Sequence, residues 1–167
     1  MRGDRGFSLL EVLIATTILT VTLVALAQLV ALSVTATTAA KETTMATVLG
    51  MEKMEQLRSL TWGFDASGLP VADPRLAASP SDALVRNITG FCDFVDADGQ
   101  PLGDTAAPPP GAVYVRRWSI DRLPADPANA LVLQVRVTRR VNRDIDSDRA
   151  PSQDGSTLVA VRTRKAL

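Results

Sequence analysis

The sequence predicts an α+β fold: one long N-terminal helix whose C-terminal half packs against a small antiparallel sheet. Three observations predict it. From Phe7 to Leu60 there is no proline, and Gly50 is the only glycine, so nothing in that stretch ends a helix. From Val12 to Ala40 there is no charged residue. Further on, Leu131, Leu133, Val135 and Val137 alternate with Val132, Gln134, Arg136 and Thr138, the period-2 pattern of a strand with one buried face.

Taken in order, residues 1–6 (MRGDRG) are short, polar and slightly basic, and read as a leader that is removed. An ordinary secretory signal has a short apolar core followed by a small-x-small cleavage site. Here the apolar run continues past that length, so a cut must precede it. Residues 7–40 read as a membrane-spanning and assembly helix. The uncharged part would be about 43 Å long, more than the roughly 30 Å needed to cross a hydrocarbon core. Its threonines (Thr16, Thr17, Thr20, Thr22, Thr35, Thr37 and Thr38) suit apolar surroundings, because each hydroxyl can bond back to a carbonyl one turn earlier. Residues 41–60 form an amphipathic stem with Ala46, Leu49, Gly50, Met54, Leu57 and Leu60 on one face and Glu52, Glu55, Gln56 and Ser59 on the other. The apolar face requires a cover, which the chain's own head supplies in this reading.

Residues 61–167 form that head. Its first part, 61–111, is an irregular connector rich in Gly, Pro, Ala and Asp, with two short apolar pieces, Ala83–Ile88 and Phe91–Val95. Asp98-Gly99 after Phe94 and Val95 signals one hairpin, and Pro108-Pro109-Pro110 closes the connector. Three strands are then expected: Ala112–Ile120, Ala130–Val141 and Thr157–Arg164. The loop-like breaks between them, at Leu123–Pro127 and Asp144–Gly155, make an antiparallel meander.

Composition excludes several functions. The 167 residues hold 18 basic and 18 acidic side chains, so no global field gathers nucleic acid or anionic substrate. The absence of histidine removes the usual general base, the commonest metal ligand and every His-dependent triad. Cys92 is the only cysteine, which precludes an intramolecular disulfide and reads as a small buried apolar residue. No catalytic residue, cofactor site or metal site is expected.

The run Gly6-Phe7-Ser8-Leu9-Leu10-Glu11-Val12-Leu13-Ile14-Ala15 resembles, nearly residue for residue, the class III signal of type IV pilins and type II secretion pseudopilins. The resemblance implies a pilin fold and cleavage between Gly6 and Phe7, on the cytoplasmic side, by the prepilin peptidase. That enzyme then methylates the new α-amino group of Phe7. The residues suit this: Gly6 has no side chain to obstruct a peptidase at the membrane surface, and Arg2 and Arg5 hold the leader on the cytoplasmic side. Glu11 lies one turn into an apolar helix, where an ionisable group costs several kcal/mol unless it meets a partner. In the family that partner is the protonated amine of the first residue of an adjacent subunit, which for this chain is Phe7. The pair sets the axial register of subunits. The implied partners are the prepilin peptidase, other pilin or pseudopilin subunits, an inner-membrane assembly platform and the lipid bilayer. The implied location is the bacterial inner membrane, single-pass, with a periplasmic head that later joins a filament.

A second stretch, Val48–Arg58 within Ala46–Leu60, is similar to the helix end of minor pilins of the PilV type and of minor pseudopilins. The chain departs from major pilins in two ways. Gln28 and apolar neighbours stand where those proteins often carry a helix-kinking proline, and the head lacks the cysteine pair that staples a receptor-binding loop. The resemblance thus implies a minor pilin that helps initiate or cap a type IV pilus, or alternatively a minor pseudopilin of a type II secretion system.

Other signals read as ordinary surface. Asp93, Asp96 and Asp98 before Gly99, and Asp144, Asp146 and Asp148, suggest the alternating donors of a calcium loop but fall short of it, the second having Arg149 and Gly155 where the loop needs a glycine and a bidentate acid, so both are expected to be solvated turns. In the cluster Arg136, Arg139, Arg140 and Arg143, the pair Arg139-Arg140 breaks strand alternation and Asp144, Asp146 and Asp148 follow, so a solvated edge is expected and nucleic acid is not an expected partner. Trp62 and Trp118 are expected to be packing residues.

Overall fold

The computed structural model of the chain describes residues 8–140 and 155–166. Among the described residues one α-helix, α1, runs Leu9–Ser59, followed by a short 3-10 turn at Pro74–Leu76 and eight strands: β1 Trp62–Phe64, β2 Pro70–Ala72, β3 Cys92–Val95, β4 Pro101–Gly103, β5 Tyr114–Arg122, β6 Ala130–Arg139, β7 Gly155–Thr163 and β8 Lys165–Ala166. This is the expected α+β arrangement of one long apolar helix with antiparallel sheets, consistent with a pilin fold. The chain divides into two compact units, one reaching Lys41 and the other starting at Glu42, so the C-terminal part of α1 belongs to the same unit as the strands.

In the first unit α1 is unbroken at Gln28. The seven threonines named above each donate a hydroxyl hydrogen to a carbonyl three or four residues earlier, at 2.7 to 3.0 Å. Their polar groups are thus satisfied inside the helix, and the surface left over is apolar. The helix is long and apolar enough to cross a membrane.

In the second unit the strands form a five-stranded sheet of order β4-β3-β5-β6-β7, with every neighbouring pair antiparallel, and a three-stranded sheet of order β2-β1-β8. The β5-β6-β7 part is the expected meander. Its strands are shifted from their expected bounds for local reasons. Gly111 turns with φ 83°, so β5 starts after it at Tyr114 and continues to Arg122. β7 ends at Thr163, and Arg164, whose amide donates to the Asn129 carbonyl at 2.8 Å, joins it to β8. β6 ends at Arg139; the expected end at Val141 lies outside the described residues, as does the Asp144–Asp148 turn. The small sheet was not expected from the sequence. In it β8 pairs with β1 in parallel, a contact between the end of the chain and the start of the head.

Two hairpins use the same chemistry. In Asp65-Ala66-Ser67-Gly68 the Asp65 Oδ1 accepts from the amides of Ser67 and Leu69 at 2.9 and 2.8 Å, and Gly68 has φ 77°. In Asp96-Ala97-Asp98-Gly99 the Asp96 Oδ1 accepts from Asp98 and Gln100 at 2.9 and 2.8 Å, and Gly99 has φ 88°. Each aspartate stands in for a backbone turn, and each glycine supplies the left-handed conformation that side chains avoid. The second is the hairpin expected at Asp98-Gly99.

The core lies between the stem part of α1 and the large sheet. Ala46, Leu49, Met54, Leu57 and Leu60 are buried against a cluster that includes Trp118, Ile120, Leu133, Val135 and Val137. The alternation in β6 is as expected, with Leu131, Leu133, Val135 and Val137 nearly inaccessible. At Gly50 helix and sheet leave no room for a larger side chain: a Cβ there would lie 3.0 Å from Leu158 Cδ1 and 3.4 Å from Val137 Cγ2.

Candidate processing and assembly site

The helix begins at Leu9, two residues before Glu11. The Ser8 carbonyl accepts hydrogen bonds from the amides of Glu11 and Val12 at 3.0 and 3.2 Å, closing the first turn. Glu11 falls in that turn, where the positive end of the helix dipole favours a carboxylate. A shallow groove beside it is lined by Ser8, Leu10, Ile14, Ala15 and Ile18. Among the described residues no ion pair holds Glu11. Gly6 and Phe7 lie outside the described residues, so of the three predicted site residues the structure places Glu11 alone. Every large apolar side chain from Leu9 to Val34 is 50 to 85 % exposed, a surface whose burial requires lipid or other helices.

The stem is fixed to the sheet by an ion network. Asp93 is buried, and its carboxylate accepts from Arg116 Nε at 2.7 Å, from a terminal Arg116 nitrogen at 3.0 Å and from Lys53 Nζ at 3.0 Å. Arg116, itself buried, also reaches Glu52 at 3.3 Å. Lys53 lies 3.7 Å from the centre of the Trp118 ring. Burial pushes the Lys53 ammonium below its ordinary range, and the neighbouring Asp93 opposes that shift. The expectation of a solvated turn therefore holds for Asp96 and Asp98 and fails for Asp93. Asp93 sits in β3 opposite Arg116 of β5, and that pairing draws its carboxylate inward.

Two arginines of the final strands complete the joint. Arg162 donates to the carbonyl of Leu57 at 3.0 Å and to that of Leu60, capping the otherwise unpaired carbonyls at the end of α1. Arg164 lies 3.6 Å from the centre of the Trp62 ring and donates to the carbonyls of Gly63 and Val71, both at 3.0 Å, across β1 and β2. Sequence reasoning singled out neither arginine. An arginine at a strand end looks like surface charge until the carbonyls it serves are in place. Both tryptophans are buried packing residues, and Trp118 and Trp62 each carry a cation on one face. Cys92 is buried and its thiol is pushed up by burial. In the arginine cluster, Arg139 pairs with Glu42 and Arg140 with the Ala112 carbonyl, while Arg143 lies outside the described residues. Among the described residues no group of acids, cysteine or histidine is placed to hold a metal ion.

The family model described as the prokaryotic N-terminal methylation motif matches residues 1–27, covering the Gly6–Ala15 run and the first half of the apolar helix. This N-terminal segment is that of a type IV pilin-like prepilin. The motif implies a membrane-anchored structural subunit that is processed by the prepilin peptidase and assembles with other pilin subunits. No curated protein and no solved structure matches the chain. Residues beyond 27 lie outside that match.

Proposed function

We propose that this prepilin is a minor, non-catalytic subunit of a type IV pilus, held in the bacterial inner membrane with a periplasmic head and then assembled into or priming the filament through the assembly platform. One observation carries the reading: the methylation motif of residues 1–27 runs directly into an unbroken helix whose large apolar side chains from Leu9 to Val34 are all exposed. In this reading the cut falls between Gly6 and Phe7, Phe7 is N-methylated, and Glu11 pairs with the Phe7 amine of an adjacent subunit. The stem similarity at Ala46–Leu60 and the single cysteine favour a minor over a major subunit. The same motif serves minor pseudopilins of type II secretion, and recovery of the protein with sheared surface pili distinguishes the pilus from that alternative.

Mass spectrometry of protein coexpressed with its peptidase tests the reading. The expected chain begins at N-methylated Phe7, and replacing Gly6 by a bulky residue leaves the uncut form. Assembled protein that still begins at Met1 would refute it.

A further inference from the structure

Arg117 of β5 and Arg136 of β6 stand directly opposite each other in the large sheet. Both belong to the face turned away from the stem, since their strand neighbours Trp118, Val135 and Val137 fill the core beneath it. β6 lies between β5 and β7, so Arg136 is on an interior strand and not at the edge that its sequence suggested. Both arginines are half-buried. Like charges opposite each other in neighbouring strands cost stability unless something offsets them.

Among the described residues no carboxylate pairs with either. Arg117 is held by neutral groups: its Nε donates to Asn87 Oδ1 at 2.9 Å and a terminal nitrogen to Thr138 Oγ1 at 3.3 Å. Arg136 makes no hydrogen bond within the described residues, which leaves its five N–H groups for another acceptor. Burial pushes the Arg117 guanidinium below its ordinary range; the Cys92 thiol opposes that shift and Arg136 adds to it. On this face β5 carries one acid, Asp121, about 13 Å of strand beyond Arg117, and its carboxylate accepts from the Ser119 hydroxyl at 3.2 Å. Arg116, one residue earlier and on the opposite face, has both Asp93 and Glu52. The strand thus compensates one arginine fully and leaves its neighbour without a counter-charge.

On its other side Arg136 is opposite Thr157 of β7, which is exposed and brings a hydroxyl to the same row. We propose that the row Arg117, Arg136 and Thr157 binds a phosphate group, either the free dianion or a monoester. Guanidinium groups bind phosphate oxygens through paired N–H donors. A dianion offsets both positive charges at once, whereas a carboxylate offsets one and leaves the opposition in place.

The test uses the full chain in detergent, in mildly alkaline buffer of fixed ionic strength, and reads thermal unfolding of the head. With chloride as the only anion, Arg136→Gln is expected to raise the unfolding temperature by about 1 to 4 °C, because it removes the opposed charge. Inorganic phosphate at about 10 mM is expected to raise the wild-type temperature and to leave R136Q where it was. R139Q, whose arginine already pairs with Glu42, keeps the phosphate response. Glycerol phosphate separates the two sources: a response to it assigns the site to an esterified group, and a response to inorganic phosphate alone assigns it to the free ion. A lower unfolding temperature for R136Q in chloride would show that the chain supplies its own counter-charge, and would overturn the proposal. An equal phosphate response in wild type and R136Q, its loss in R139Q as well, or no response in any of them would do the same.

Discussion

Residues 9–40 and the unit from Glu42 onward solve opposite problems. In the first, polar groups are satisfied locally, by threonine hydroxyls bonding to carbonyls a turn away, and the apolar surface faces outward from Leu9 to Val34. In the second, polar groups are satisfied across the fold, by Asp93 with Lys53 and Arg116 and by Arg162 with the helix end, and the apolar surface faces inward. The first segment is thus finished only by its surroundings, whereas the head is finished by its own chain. Substitutions in the helix should alter assembly without altering the stability of the head. Substitutions in the buried core of the head should alter its stability.

The largest effect expected from this contrast is on solubility. A fragment starting at Lys41 should be monomeric in plain buffer and melt cooperatively, while the full chain should require detergent. Gel filtration of both decides it, and a monodisperse full-length chain without detergent would break the comparison.

Two charge removals should separate the regions next. Asp93→Ala leaves Arg116 and Lys53 without their buried partner and should destabilise the head by about 3 to 5 kcal/mol, measured by denaturant unfolding of the fragment. Glu11→Ala should leave head stability, insertion and cleavage unchanged while recovery with sheared filaments falls. A buried intersubunit pair would lose about 3 to 5 kcal/mol and an exposed one about 1 or less. A stable Asp93 variant would mean that apolar packing alone fixes stem to sheet. Full filament recovery of the Glu11 variant would reduce that acid to an orientation signal.

Smaller effects sharpen the boundary. Gly50→Leu places a side chain where Leu158 and Val137 already close the gap, and should cost about 1 to 3 kcal/mol by overpacking. Gly50→Ala should cost less, since the nearest atom is the end of a flexible leucine. Smallest of all, Thr20→Val exchanges a self-satisfied hydroxyl for a methyl on an outward face, and should change neither head stability nor membrane insertion within about 0.5 kcal/mol. A marked loss of insertion would show that the hydroxyl serves something beyond its own helix.

Much of this was legible in the sequence, because it depends on neighbours along the chain. Absence of proline from Phe7 to Leu60 determines a continuous helix, alternation in Leu131–Thr138 determines a half-buried strand, and the spacing of Ala46, Leu49, Gly50, Met54 and Leu57 determines which face of the stem is covered. The Gly6–Ala15 run likewise carries the motif in consecutive residues. The Asp65–Gly68 turn was legible in the same way as its twin at Asp96–Gly99, but β1 and β2 have three residues each and give no period to read. Tertiary structure alone decided the rest. Asp93 belongs to the interior because Arg116 and Lys53 arrive from two other elements, 23 and 40 residues away along the chain. Arg162 caps a helix that ended about a hundred residues earlier, and β8 closes a sheet begun by β1. Local periodicity reports which side of an element is apolar. Only the folded chain determines which distant charge meets which, because that depends on the distances through space that the packing sets.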